Sequence, residues 1–156
     1  LVFSTIHTTD ATSTINRLVS FFPTEEQMNV RARLADNIRA IVSLRLLVSK
    51  KGTGRVPAVE VLRNTRSIQE CIRDPSKTSE LLDFIARGRA EKMQTFDQHL
   101  LDLLKANKIS VDTALSAASN PTDFQTKLSL EGHSPDEESD GGKTLEPFEI
   151  DSDGRF

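Results

Sequence analysis

Two apolar runs, residues 41–48 and 56–62, flank Lys50-Lys51-Gly52-Thr53-Gly54, and no other feature limits the fold as strongly. Runs of this length, rich in Val, Leu and Ile and bounded by glycine, fit strands. A connection of a few residues can return a strand only antiparallel, since parallel neighbours need a crossover of a dozen residues or more. The pattern therefore predicts a hairpin in the middle of the chain.

Around this hairpin the spacing is mostly helical. Residues 1–6 form a short apolar run ending at His7-Thr8-Thr9-Asp10, which reads as a buried strand turning into a helix N-cap. Ile15, Leu18, Val19 and Phe22 then recur at helical spacing until Pro23. Thr24-Glu25-Glu26-Gln27 has the capping-box pattern and predicts a second helix with Val30, Leu34, Ile38 and Ile41 on its buried stripe. Arg31, Arg33 and Arg39 lie off that stripe and read as a solvated face, with a subunit-contact role as the sharper alternative. After the hairpin, helices are expected over 67–73 and, beyond Asp74-Pro75, over 78–87, with Leu81, Leu82 and Ile85 on one face. A second capping box, Thr95-Phe96-Asp97-Gln98, opens a helix that gathers Phe96, Leu100, Leu103 and Leu104. Two short helices follow, one carrying Val111, Ala114, Leu115 and Ala118, the other starting at Asn120-Pro121 and running to about residue 130. Strand and helix first, with helices last, predicts an α/β unit over 1–63 and a helical subdomain over 64–130.

Composition changes sharply after residue 130. The formal net charge of −3 divides into −7 over residues 131–156 and +4 over the rest. The acidic segment is rich in Asp, Glu, Ser, Gly and Pro, and is expected to be disordered because it cannot bury enough apolar surface to offset ordering entropy. So mild a positive balance, with no Trp or Tyr, argues against a nucleic-acid partner, which would call for clustered Lys and Arg interleaved with aromatics. A lone cysteine, Cys71, forms no intrachain disulfide and no cysteine-rich zinc site. The chain has no apolar run of membrane-spanning length and no signal-like start, and it reads as soluble and cytoplasmic. Its opening on an apolar run without methionine is expected of a fragment.

Several segments, taken in order, resemble one family. Leu1-Val2-Phe3-Ser4-Thr5-Ile6-His7-Thr8-Thr9-Asp10-Ala11 is similar to the strand and His-box of secretion ATPases. Asn16-Arg17-Leu18-Val19-Ser20-Phe21-Phe22-Pro23 resembles the following helix and its Phe-Pro stop in the PilT/PilU type of pilus retraction ATPases. Residues 51–62 look like their GxGR hairpin, which ends in an apolar strand near a Glu. Ser67-Ile68-Gln69-Glu70-Cys71-Ile72-Arg73-Asp74 resembles the AIRNLIRE motif of that type: Ile68, Ile72 and Arg73 match, whereas Gln69 and Glu70 replace Arg and Asn. Met93 to Gln98 and Asn120 to Phe124 are similar to late segments of the same group. A single cysteine departs from the four-cysteine zinc segment of pilus-assembly and type II secretion ATPases, so the retraction type is the better match.

The resemblance implies the C-terminal part of a RecA-like P-loop ATPase domain with a helical subdomain. It also implies a hexameric ring, or a related pilus ATPase as ring partner, on an inner-membrane platform protein, with ATP and Mg²⁺ held mainly by upstream residues. Phosphoryl transfer needs a phosphate cradle, a Lys and a magnesium site, and these are missing from the sequence. Gly141-Gly142-Lys143-Thr144 ends like a P-loop, but Glu137 occupies the position of its first glycine. His7 is the catalytic candidate. By position it reads as a satisfied structural donor, whereas the resemblance implies a γ-phosphate sensor with Thr5 and Thr8 near the nucleotide. Thr9 reads as a cap, His99 as a packing-edge residue and His133 as part of the acidic segment. For the helix bearing Ile68, Ile72 and Arg73, spacing gives simple packing, and the resemblance implies coupling of ATP turnover to retraction. The rival reading is a non-catalytic interaction or regulatory module that joins a pilus motor ring.

Overall fold

A computed structural model describes residues 1–130. The acidic segment expected over 131–156, with His133 and the Gly141-Gly142-Lys143-Thr144 sequence, lies outside the described residues. The centre of the fold is the expected hairpin: β1, Ala40–Val48, pairs antiparallel with β2, Arg55–Arg63. Gly52 and Gly54 take φ of 72° and 76° in its turn, a left-handed conformation that side chains with a Cβ resist. The register puts Ile41, Ser43, Arg45 and Leu47 on one face with Leu62, Glu60, Ala58 and Val56 opposite them. Val42, Leu44, Leu46 and Val48 occupy the other face, and all four are more than half exposed.

Helices α1 (Ala11–Ser20) and α2 (Gln27–Asn37) precede the hairpin, and α3 (Arg66–Arg73) and α4 (Leu81–Arg87) follow it. Next come α5 (Phe96–Lys105), α6 (Val111–Ala117) and α7 (Pro121–Leu130). The inward face of the hairpin supports two separate cores. Ile41 and Leu62, at its open end, pack with Ala11, Ile15, Ala35, Ile68, Ile72 and Leu81. Leu47 and Ala58, toward the turn, pack with Phe96, Leu100, Ile109, Phe124 and Leu128. Burying each of these large aliphatic side chains contributes about 1.5–3 kcal/mol. Asn64 closes the open end by donating from Nδ2 to Ala35 O and Ile38 O, 2.8 Å each, which ties the end of α2 to the hairpin.

Local chemistry explains most helix starts. Asp10, Thr65, Thr95 and Ser110 each accept a backbone N–H from three residues ahead, satisfying donors that a helix N-terminus otherwise leaves unpaired. Thr95 and Gln98 complete a reciprocal capping box, as their spacing predicts.

Three expectations are corrected. Residues 1–8 form no strand, and Leu1, Val2 and Phe3 are 98%, 89% and 89% exposed. A buried strand must pair its backbone groups with a neighbour, and residues 1–8 pair with neither of the two described strands, which pair with each other. The capping box at Thr24 does not form. Residues Thr24–Glu26 make a 3₁₀ turn without a side-chain cap, and Gln27 instead donates from Nε2 to Phe22 O. Finally, Arg31 is not on a solvated face: Arg31 and Ala35 are the buried residues of α2, while Val30 and Leu34 are half-buried. The expected stripe is rotated by one residue because the guanidinium finds acceptors inside, at Ile72 O, Thr78 Oγ1 and Asn16 Oδ1, 3.1, 3.2 and 3.3 Å away.

Candidate functional site

The three residues expected near nucleotide lie on the extended segment that enters α1. His7 and Thr5 are exposed and Thr8 is half-buried. His7 is therefore not at the rigid end of a buried strand, and among the described residues it makes no hydrogen bond, so the structural-donor reading has no acceptor to point to. Thr8 is held by a 2.6 Å hydroxyl–hydroxyl bond to Thr14 on the first turns of α1. Thr9 donates to Asp10 Oδ2 at 2.7 Å and thus orients the cap, but Asp10 itself is the N-cap.

The start of α1 is already supplied with carboxylates. Asp10 Oδ1 accepts from Ser13 N at 2.7 Å, and Glu60 Oε1, from β2, accepts from Ala11 N at 2.8 Å. Their environments push the two acids apart. Burial alone would raise the Asp10 carboxyl, but bonds from the Ser13 amide, the Thr9 and Ser13 hydroxyls and the nearby Arg45 charge outweigh it, leaving Asp10 below its usual range. For Glu60, burial wins. The carboxyl is raised, with the Asp10 charge adding to the effect and the Ala11 amide, Arg45 and the Phe96 amide opposing it.

Arg45 completes this cluster from β1. Its Nη1 donates to Ala117 O at 3.0 Å, its Nη2 reaches Thr9 O at 3.4 Å, and its guanidinium lies 4.0 Å over the ring of Phe96. Sequence reasoning missed Arg45 and Glu60 as a pair. The signal was present: both stand at inward-facing positions of the hairpin, where a charged side chain is far more informative than an exposed apolar one.

The retraction-motif-like helix is α3. Ile68 and Ile72 are completely buried in the first core, whereas Arg73 is partly exposed and pairs with Asp36 of α2. Spacing alone thus accounts for Ile68 and Ile72. Cys71 is buried beside them, and burial pushes its thiol above the ordinary value, with the charge of Glu80 adding to the shift; such a thiol is inert. His99 accepts at Nδ1 from Val59 N at 2.8 Å, joining α5 to β2, so it is more than a packing-edge residue.

The described residues do not make an ATP site by themselves. His7 and the neighbouring hydroxyls offer donors to one side of a phosphate, but Ala11 N and Ser13 N are already engaged by carboxylates, so α1 does not present a vacant N-terminus to an anion. Among the described residues, no group of three or more His, Cys, Asp or Glu could hold a metal ion, which leaves Mg²⁺ without a ligand set here. A groove of about 440 Å³ along β1 and α6, lined by Leu46, Val48, Asp112, Thr113, Ser116 and Ala117, contains none of the candidates. Among the described residues no helix is long and apolar enough to cross a membrane.

Comparison with known proteins places this architecture. No protein-family model matches the chain. In solved structures, the fold is similar to the pilus retraction motor PilT with bound ADP, with a TM-score of 0.64 and 34% identity over 76% of this chain and 32% of that one. Fold and sequence together define a portion of a pilus ATPase: mixed α/β, the C-terminal part of a RecA-like domain followed by a helical subdomain. In sequence, the chain is 38% identical over 124 residues to the type IV pilus retraction ATPase PilT of Pseudomonas aeruginosa, covering 80% of this chain and 36% of the relative. It is 32% identical over 130 residues to PilU of the same organism, covering 83% and 34%, and 36% identical over 120 residues to a twitching motility protein of Neisseria gonorrhoeae, covering 77% and 32%. The chain belongs to the PilT/PilU family of pilus ATPases, and it spans about a third of the length of the relatives it matches.

Proposed function

We propose that this chain is the C-terminal part of a motor ATPase that couples ATP hydrolysis to type IV pilus retraction and twitching motility. The observation that carries this reading is the match over four-fifths of the chain to PilT. The complete protein would bind ATP with Mg²⁺ through residues outside this chain, assemble as a hexamer or with a related pilus ATPase, and work in the cytoplasm against an inner-membrane platform protein. The exposed apolar side chains Val42, Leu44, Leu46 and Val48 of β1 are consistent with this reading, since a contiguous apolar patch of this kind suits contact with a further part of a larger protein.

His7 is the residue assigned to sense phosphate in this motor, with Thr5 and Thr8 beside the nucleotide. Its exposure and its lack of a partner among the described residues favour a role that begins when ligand arrives. An imidazole N–H directed at the γ-phosphate in the transition state would act as one preorganised donor, so His7→Ala should lower kcat by about ten- to a thousandfold, with a much smaller change in nucleotide affinity. The α3 residues Ile68, Ile72 and Arg73 would link turnover to retraction through their packing on α2. The test is steady-state ATPase activity and thermal unfolding of the intact His7→Ala protein, with ring assembly followed by sizing. Unchanged turnover in the variant would refute the sensor role, and an intact wild-type protein that joins a ring without hydrolysing ATP would establish the regulatory-module alternative instead.

A further inference from the structure

The inward face of the hairpin carries two cores, and the polar residues between them have a geometry that packing alone does not require. Along β1 the order is Ile41 in the first core, then Ser43 and Arg45, then Leu47 in the second; along β2 it is Leu62, then Glu60, then Ala58. Burying charge at such a seam costs free energy unless each group is bonded. Arg45 and Glu60 are bonded, and Arg45 reaches across the seam to both sides. Glu60 accepts from Ala11 N at the start of α1, and the Phe96 amide at the start of α5 also favours its charged form. Arg45 bonds Thr9 O, two residues beyond His7, and Ala117 O at the end of α6, while stacking on Phe96.

We propose that Arg45, with Glu60 beside it, is a positioning residue that joins the His7-bearing segment to helices α5 and α6, so that the C-terminal helices set the geometry at which His7 meets nucleotide. The planar guanidinium suits this joint: it can donate in two directions from one plane and stack on an aromatic face at the same time, which a Lys ammonium cannot do. Residues 5–9 have no strand to hold them, so their placement depends on the bonds at Thr8, Thr9 and Asp10. Displacement of α5 or α6, by a neighbouring subunit or a partner, would pass through Arg45 to Thr9 without any contact with nucleotide. The part played by His7 rests on the ATPase reading above, whereas the mechanical joint does not.

The experiment uses the intact protein with Arg45→Met, Arg45→Lys, Phe96→Leu and the Arg45→Met/Phe96→Leu double variant. It reads kcat, KM for ATP, the thermal midpoint, and nucleotide-free amide hydrogen exchange. Arg45→Met should lower kcat by about two- to thirtyfold, the range over which residues touching no ligand modulate coupling, with KM changed less than about twofold. Exchange should quicken both in residues 9–13 and in 115–119. Phe96→Leu, on the far side of the joint, should also quicken exchange in 9–13, and its effect on kcat should be less than additive with that of Arg45→Met. Arg45→Lys, which keeps the charge but not the fork, should resemble Arg45→Met. Exchange that quickens on one side only, additive kcat losses, or full activity in Arg45→Lys would overturn the proposal. An intact wild-type protein without ATPase activity would sink the motor reading, while the exchange data would still decide whether the joint exists. If Phe96→Leu does not fold, the Arg45→Met and Arg45→Lys exchange patterns make the same decision.

Discussion

Replacing Arg31 by Met tests whether a buried cation is part of the fold or incidental to it. Met keeps an apolar stem of similar length and removes the guanidinium, so the expected loss is mainly that of its hydrogen bonds. The three acceptors are not equivalent. Ile72 O belongs to the last turn of α3, where carbonyls lack helical partners, and it lies inside the first core. Thr78 Oγ1 is also buried, but a hydroxyl can rotate toward another partner. Asn16 is exposed and can bond water. A buried acceptor left unpaired costs about 1–3 kcal/mol, so Ile72 O sets the minimum and Thr78 adds part of a second bond. Relief from holding a desolvated guanidinium offsets some of this. The net expectation is a loss of about 2–3 kcal/mol, or about 6–15 °C in Tm for a domain of this size. Urea unfolding of wild type and Arg31→Met, followed by circular dichroism, measures it. Arg31→Lys should recover only part of the loss, because one ammonium cannot reach three acceptors spread over α1, α3 and the turn after it. A loss under about 0.5 kcal/mol at an unchanged m-value would show that water or repacking satisfies these groups and would refute the reasoning.

Other perturbations separate packing, capping and charge. Ile72→Ala should cost about 2–5 kcal/mol in chemical denaturation, because the residue is fully buried and α3 cannot easily collapse into the space left behind. Asp10→Ala should cost about 1 kcal/mol through loss of the α1 cap. Because the folded state holds the Asp10 carboxyl below its ordinary value of 3.8, its contribution is present above that pH and is lost as pH falls through the folded value, so wild type and variant should converge in acid unfolding curves. Glu60 has the opposite sign. Its carboxyl is raised above 4.5, so the associated stability is present below that pH and is lost as pH rises through the folded value, and Glu60→Gln should gain on wild type over that interval in pH-dependent melting.

Sequence alone determined the elements whose cause is local. The hairpin follows from two apolar runs and a glycine turn, and α5 begins where Thr95 and Gln98 can satisfy each other's backbone groups. The family was legible from the His-box, the GxGR turn and the motif around Ile68 and Ile72, because those segments keep their order and spacing. Tertiary structure decided what depends on neighbours distant in sequence. Residues 1–6 have strand-like composition, but no described strand lies beside them to take their hydrogen bonds. Arg31 looks like a surface charge in its own helix, and only the arrival of Ile72, 41 residues later, gives it a reason to be buried. The same holds at the seam of the hairpin: Arg45 and Glu60 read as lone charges within apolar strands until folding brings Thr9, Ala11, Phe96 and Ala117 around them. Periodicity describes one element at a time, whereas the cost of burying a charge is set by the partners that other elements supply.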